Sequence, residues 1–166
     1  MPFDAVTGPA GGGRTQEKET TSMKFMIVGK ANAETEAGML PPQELVDDMY
    51  AYNESLAKAG VLLAAEGLYP SSEGAQIAYS GGRASVIDGP FTEAKELIAG
   101  FWLIQVKSRE EAIEWAMRVP VPPGHDGIGL DVWRVFDPAD VPDDSLPQET
   151  REREEALRER LRADDH

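Results

Sequence analysis

Phe101-Trp102-Leu103-Ile104-Gln105-Val106-Lys107-Ser108-Arg109-Glu110-Glu111 is the stretch that decides the fold. Phe101 and Leu103 alternate with Trp102, Ile104 and Val106, so a strand through this run carries apolar side chains on both faces. Both faces therefore need cover. Directly behind it, Ser108 and Glu111 stand at the spacing of a capping box, which predicts a helix beginning at Ser108. Its buried stripe is expected at Ala112, Ile113, Ala116 and Met117, and Pro120 with Pro122-Pro123 ends it. A strand covered on both faces that leads into an amphipathic helix points to a layered α+β domain.

Upstream, Met23-Lys24-Phe25-Met26-Ile27-Val28 repeats the two-faced apolar pattern and predicts another central strand. Pro41-Pro42 opens a helix with Leu45, Met49, Tyr52, Leu56 and Ala59 at helical spacing, closed by Gly60. Val61 to Ala65 reads as a second strand. Gln76 to Ser80 and Arg83 to Ile87 flank Gly81-Gly82, a pair suited to a two-residue hairpin turn. Downstream, Leu130, Val132 and Phe136 mark a last strand. The order is ferredoxin-like, βαββαβ with an extra β-hairpin, and both helices cover one sheet face. The other face would be bare in a monomer, and an apolar patch of that size predicts a homodimer whose sheets face each other.

The chain has 166 residues, no cysteine and a formal net charge of −14. That length suits one domain with tails. Without cysteine there is no disulfide, thiolate metal site or cysteine nucleophile. The charge opposes a phosphate backbone, so no nucleic-acid partner is expected. No run approaches a membrane span or a signal peptide, so no membrane partner is expected and the reading is a soluble, cytoplasmic protein. Residues 1–22 are small and polar and are expected to form a disordered N-terminal extension. Their glycine run lacks the Gly-Lys-Ser/Thr ending of a phosphate loop. The domain is expected over 23–136, an acidic proline-rich linker over 137–147, and a charged helix or tail over 148–166. In that last segment Glu154 and Arg158 are placed for an i, i+4 pair, and Leu157 and Leu161 form a narrow apolar seam, read either as a docking helix or as a solvated tail.

Between hairpin and next strand lies Asp88-Gly89-Pro90-Phe91-Thr92-Glu93-Ala94-Lys95-Glu96. This segment resembles the signature of the DGPF branch of the YCII-related proteins, and Glu66-Gly67-Leu68 and Gly100-Phe101 fit the same pattern. The resemblance spans roughly Met23 to Phe136. It implies a dimeric α/β barrel with a largely unassigned activity, and a setting beside extracytoplasmic-function sigma factors. Other members carry a proposed histidine–aspartate pair. The histidine position falls here on Met49, and the aspartate finds no firm match in the Ser71 to Glu73 region, so the dyad is not carried over.

Two readings of the signature stand side by side. In one it is a rigid joint: Pro90 fixes a backbone angle, Phe91 anchors to the core, and Asp88 accepts from the Phe91 or Thr92 N–H. In the other, Glu93 and Glu96 lie three apart on one side of a helical turn beside Lys95, a cluster able to hold a polar ligand or to raise one carboxyl pKa for proton transfer. Glu66 is a second candidate, at a strand end expected to open toward the cleft between sheet and helices.

His125, in the Pro122 to Gly127 loop, reads as a solvated histidine, and His166 lies in the tail. A metal site would need convergent carboxylates in a spaced loop, which the sequence lacks, so neither metal nor cofactor is expected. Nucleophile signatures are missing too. Two functions follow. The first is a homodimeric small-molecule-binding or regulatory protein, with Tyr50, Tyr52, Phe91, Glu93 and Trp102 around an apolar or aromatic ligand. The alternative is a cofactor-free isomerase or lyase in which Glu66, Asp88, Lys95 or Glu96 moves a proton.

Overall fold

A computed structural model describes residues 21–93, 96–142 and 145–164. The expected N-terminal extension falls almost wholly outside these residues, and so does Lys95. Met23–Lys30 forms β1, Ala33–Glu36 a one-turn helix α1, Gln43–Lys58 the helix α2 and Leu62–Gly67 β2. Ala75–Ser80 and Arg83–Asp88 are β3 and β4, Ile98–Val106 is β5, Arg109–Ala116 α3, Leu130–Arg134 β6 and Gln148–Ala163 α4.

The main sheet has the order β2-β5-β1-β6, with every neighbouring pair antiparallel. This is the ferredoxin-like arrangement, with the β3–β4 hairpin set apart as its own two-stranded sheet. β1 and β5, the two strands with apolar residues on both faces, occupy the centre, where strands meet cover on both sides. The four-stranded sheet stays open, and no barrel closes among the described residues.

Register sets the faces. Phe25 pairs with Ile104 and Ile27 with Trp102, so these four share the core face with Val106. Against that face, α2 delivers Tyr52 and Leu56, and α3 delivers Ala112 and Ala116. Ile27, Leu56 and Ile104 are wholly enclosed and form the centre of the packing. Fully burying a side chain of this size stabilises the fold by about 1.5–3 kcal/mol, so these positions dominate the energetics.

Local details differ from expectation in instructive ways. Ser108 does cap α3 by accepting from the Glu111 N–H, but the Glu111 carboxylate bonds the Lys107 N–H, one residue before the cap. The reciprocal capping box forms at α1, between Asn32 and Thr35. α3 ends at Ala116, before Pro120, and its buried line continues to Val119. Met117, expected in the stripe, is 81% exposed because the chain leaves the helix there. Phe136 lies beyond β6 and is exposed.

The second sheet face is less bare than the pattern predicts. Val28 is buried there, outside the main core cluster, because register places it between Phe101 of β5 and Asp131 of β6. Asp131 in turn pairs with Lys30, which adds lateral cover. Met26, Phe101 and Leu103 are half-buried. Trp133, which pairs with Met26 across β1 and β6, remains 60% exposed.

α4 carries the expected Glu154–Arg158 pair, plus a Glu149–Arg153 pair. Leu157 and Leu161 are exposed. The segment after β6 is held by Arg134 to Asp140 and by Arg151 to the Pro142 carbonyl. No helix among the described residues is long and apolar enough to cross a membrane.

Candidate functional site

The signature turn is held by four polar contacts, and the Asp88 side chain makes none of them. The Phe91 N–H donates to Ser71 Oγ at 3.0 Å. Ser71 donates its own N–H and hydroxyl to Glu36, at 3.1 and 2.6 Å. Ser71 thus takes the acceptor role expected of Asp88, because the short 3-10 turn at Ser71–Glu73 brings its hydroxyl under the Phe91 amide. The turn is also closed by the Gly89 N–H bonding the Gly74 carbonyl at 3.0 Å. The Phe91 ring packs beside Gly74, so the expected anchor exists but grips the base of the hairpin.

Gly89 is demanded by this packing. A Cβ there would stand 1.7 Å from the Ser71 carbonyl oxygen and 2.6 Å from its carbon. Two backbone segments approach so closely that only a residue without a side chain fits. The signature therefore forms a bracket joining α1, the Ser71 turn and the root of the β3–β4 hairpin.

The candidate acid–base groups among the described residues all lie at the surface. Glu66 lies within β2, paired with Phe101, while its neighbour Ala65 pairs with the core residue Trp102. Alternation along the strand therefore puts Glu66 on the sheet face away from α2 and α3, not in the cleft between sheet and helices. It is exposed, as are Asp88, Glu93 and Glu96. The Glu96 N–H bonds the Glu93 carbonyl at 3.0 Å.

The aromatic candidates divide. Tyr52 and Trp102 are interior and meet edge to face, with ring centroids 5.7 Å apart. The Tyr52 hydroxyl donates to the Trp115 carbonyl at 2.9 Å, and Trp102 Nε1 donates to Asn53 Oδ1 at 2.7 Å. Burial pushes the Tyr52 hydroxyl pKa up to about 12, against a smaller opposing pull from Arg118. Arg118 itself lies over the Trp115 ring at 4.1 Å. These rings are satisfied core groups with no face turned to a ligand.

Tyr50 has the opposite setting. It is exposed and lines a recess of about 230 Å3 with Pro41, Leu45, Val46, Met49 and Asn53. The lining is nearly all apolar, with Tyr50 and Asn53 as its polar side chains. Sequence reasoning missed Pro41, Leu45, Val46 and Asn53 because Leu45 and Met49 were absorbed into the core stripe. The signal was available, since positions 45, 46, 49, 50 and 53 share one side of a helix.

His125 is exposed, its backbone N–H bonds the Pro122 carbonyl, and Asp126 caps the Gly127 N–H without orienting the imidazole.

A family model described as the YCII-related domain matches residues 23–129. The match begins with β1 and stops just short of β6, which completes the same sheet. A relative, an uncharacterized protein of Rhizobium meliloti (strain 1021), is 35% identical over 74 residues, 45% of this chain and 60% of its own length. The chain thus spans less than two thirds of that relative.

Proposed function

The chain belongs to the YCII-related domain family, and from that premise we propose that it is a homodimeric small-molecule-binding or regulatory protein of the DGPF branch, with residues 23–136 as its working unit. The observation that carries the binding reading is the apolar recess on α2, which joins Met49 and Tyr50 to the side-chain amide of Asn53. A mostly apolar concavity with a few placed polar groups is the usual form of a small-molecule site. At about 230 Å3 it is smaller than the ~300–1,000 Å3 of drug-sized ligand sites, so its occupant would be a small compound of one or two rings.

Proton-transfer chemistry has less behind it. Glu66, Asp88 and Glu96 all stand in the open, where water screens their charges. Binding needs no such group. The homodimer is supported by the second sheet face, where Trp133 lies exposed beside half-buried Met26 and Leu103.

A thermal-shift series of the full chain with indole, naphthol and other small aromatic compounds tests the site, run beside Tyr50→Ala. A compound at about a hundred times its Kd should add about 2.7 kcal/mol to the parent's stability. The variant should lose that gain while keeping its ligand-free melting point. Equal shifts in parent and variant, or none in the parent, would remove the recess as the site.

A further inference from the structure

The β3–β4 hairpin is the least explained part of the molecule. Register puts Ala75, Ile77 and Tyr79 of β3 on one face with Ala84 and Val86 of β4. Ile77 is 51% exposed, Tyr79 79% and Val86 64%. Neither face of this ribbon is covered, although its two strands pair over their whole length and Gly81 and Gly82 take the positive φ values a tight hairpin turn needs. A lone two-stranded hairpin is marginal in water and normally packs on something. Its root is nevertheless fixed: the Gly89–Gly74 bond, the Phe91–Ser71 bond and the Ser71–Glu36 bonds hold it to the body.

We infer that this hairpin is a dimerisation arm, which lays Ile77, Tyr79 and Val86 across the second sheet face of another copy of the chain, against Trp133. The inference rests on the homodimer reading and specifies how that dimer closes. The area argument favours it. The sheet face alone exposes one large side chain, Trp133, to more than half, too little for a stable interface. Tyr79, Ile77 and Val86 offer roughly 400 Å2 more, about the largest apolar patch a monomer usually carries. In a two-fold dimer each protomer contributes its own arm and the surface beneath its partner's arm. That approaches the ~800 Å2 per partner of an ordinary stable interface.

Reach and charge agree. Six-residue strands extend about 20 Å, enough to cross the ~15 Å width of a four-stranded sheet. Residues 75–88 carry two charges, Arg83 beside the turn and Asp88 at the root, and so no net charge, in a chain of net charge −14. An arm of zero net charge, with Arg83 at its outer end, meets a strongly acidic copy of itself without the repulsion an acidic arm would suffer.

The test is a dilution series of the full chain by light scattering and sedimentation, comparing the parent with Tyr79→Ser/Val86→Ser and with Gln76→Ala/Ser85→Ala on the opposite hairpin face. The expected result is a dimeric parent, a dimer Kd raised at least ~30-fold in the first pair, and a change under ~3-fold in the second. A dimeric parent whose Kd is unmoved by Tyr79→Ser/Val86→Ser overturns the arm and leaves the homodimer standing. Equal weakening by both pairs also overturns it, since the apolar face would then have no special part. A parent that stays monomeric to 100-micromolar order sinks the homodimer reading and the arm with it.

Discussion

Replacing Gly89 by alanine is the sharpest probe of the bracket. The added methyl would begin 1.7 Å from the Ser71 carbonyl oxygen, and real Cβ contacts essentially never fall under 3.0 Å. The two segments must therefore part by at least the difference, 1.3 Å. Opening of that size takes the 3.0 Å Phe91–Ser71 and Gly89–Gly74 bonds beyond hydrogen-bond range. Each lost bond costs about 1 kcal/mol and the overpacking itself about 1–3 kcal/mol, so about 3 kcal/mol is expected in all. The hairpin is packed on little else, so the loss should be local. The assay is native-state hydrogen exchange, in which 3 kcal/mol of local destabilisation speeds exchange by about 100-fold. Amides of β3, β4 and Phe91 should accelerate by that factor, and those of β1 and β5 should not. Gly74→Ala is the neighbouring control, because its Cβ would sit at an ordinary 3.4 Å from the same carbonyl. Exchange in Gly89→Ala within threefold of Gly74→Ala would refute the steric reasoning.

Two further outcomes concern the core. Leu56→Ala empties a wholly enclosed site between α2 and the sheet and should cost about 3 kcal/mol in urea unfolding followed by tryptophan fluorescence; a loss under 1 kcal/mol would mean the site collapses or is not packed as described. The Tyr52 hydroxyl, neutral and buried, has its pKa raised from 10.0 to about 12, so its contribution is complete below pH 10 and is lost as pH rises through 12. On the order of 2 kcal/mol should disappear across that window in the parent. Tyr52→Phe should start less stable by about 1 kcal/mol for the missing bond to the Trp115 carbonyl and show a flatter alkaline limb; parallel limbs in the two proteins would show that Tyr52 is not the titrating group.

The sheet was legible because its evidence is local. Two-faced apolar runs at Met23–Val28 and Phe101–Val106 mark central strands wherever they occur, and Gly81-Gly82 specifies its turn without outside help. What the pattern could not give was side-chain placement that depends on register or on distant segments. The strand pattern alone points Glu66 toward the cleft, but a β-bulge between Leu62 and Ala64 and the pairing with Phe101 set it on the opposite face. Tyr52 and Trp102 carry polar atoms that suggest a binding role, and only the structure shows those atoms spent on Trp115 and Asn53. The recess was hidden for a related reason: a residue such as Met49 can serve the core and still line a surface concavity.

The same distinction changes how the signature is understood. A row of charges around Asp88 invites an acid–base reading, yet the groups with specific geometric jobs are the uncharged ones. Gly89 admits the Ser71 carbonyl, Phe91 supplies an N–H and a ring, and their partners Ser71 and Glu36 lie far off in sequence. Asp88 and Glu96 are exposed, and exposed charges contribute little to holding a turn together. A catalytic signature would show the reverse, with its charged groups buried and oriented and its glycines serving to make room for a substrate. Here the room is filled by the chain's own backbone, and what the bracket orients is the hairpin. If the hairpin meets a second copy, the signature serves the assembly and the ligand chemistry belongs to α2. Substitutions at Gly89 and at Tyr50 should then have separable effects, the first on dimer strength and the second on ligand-induced stabilisation.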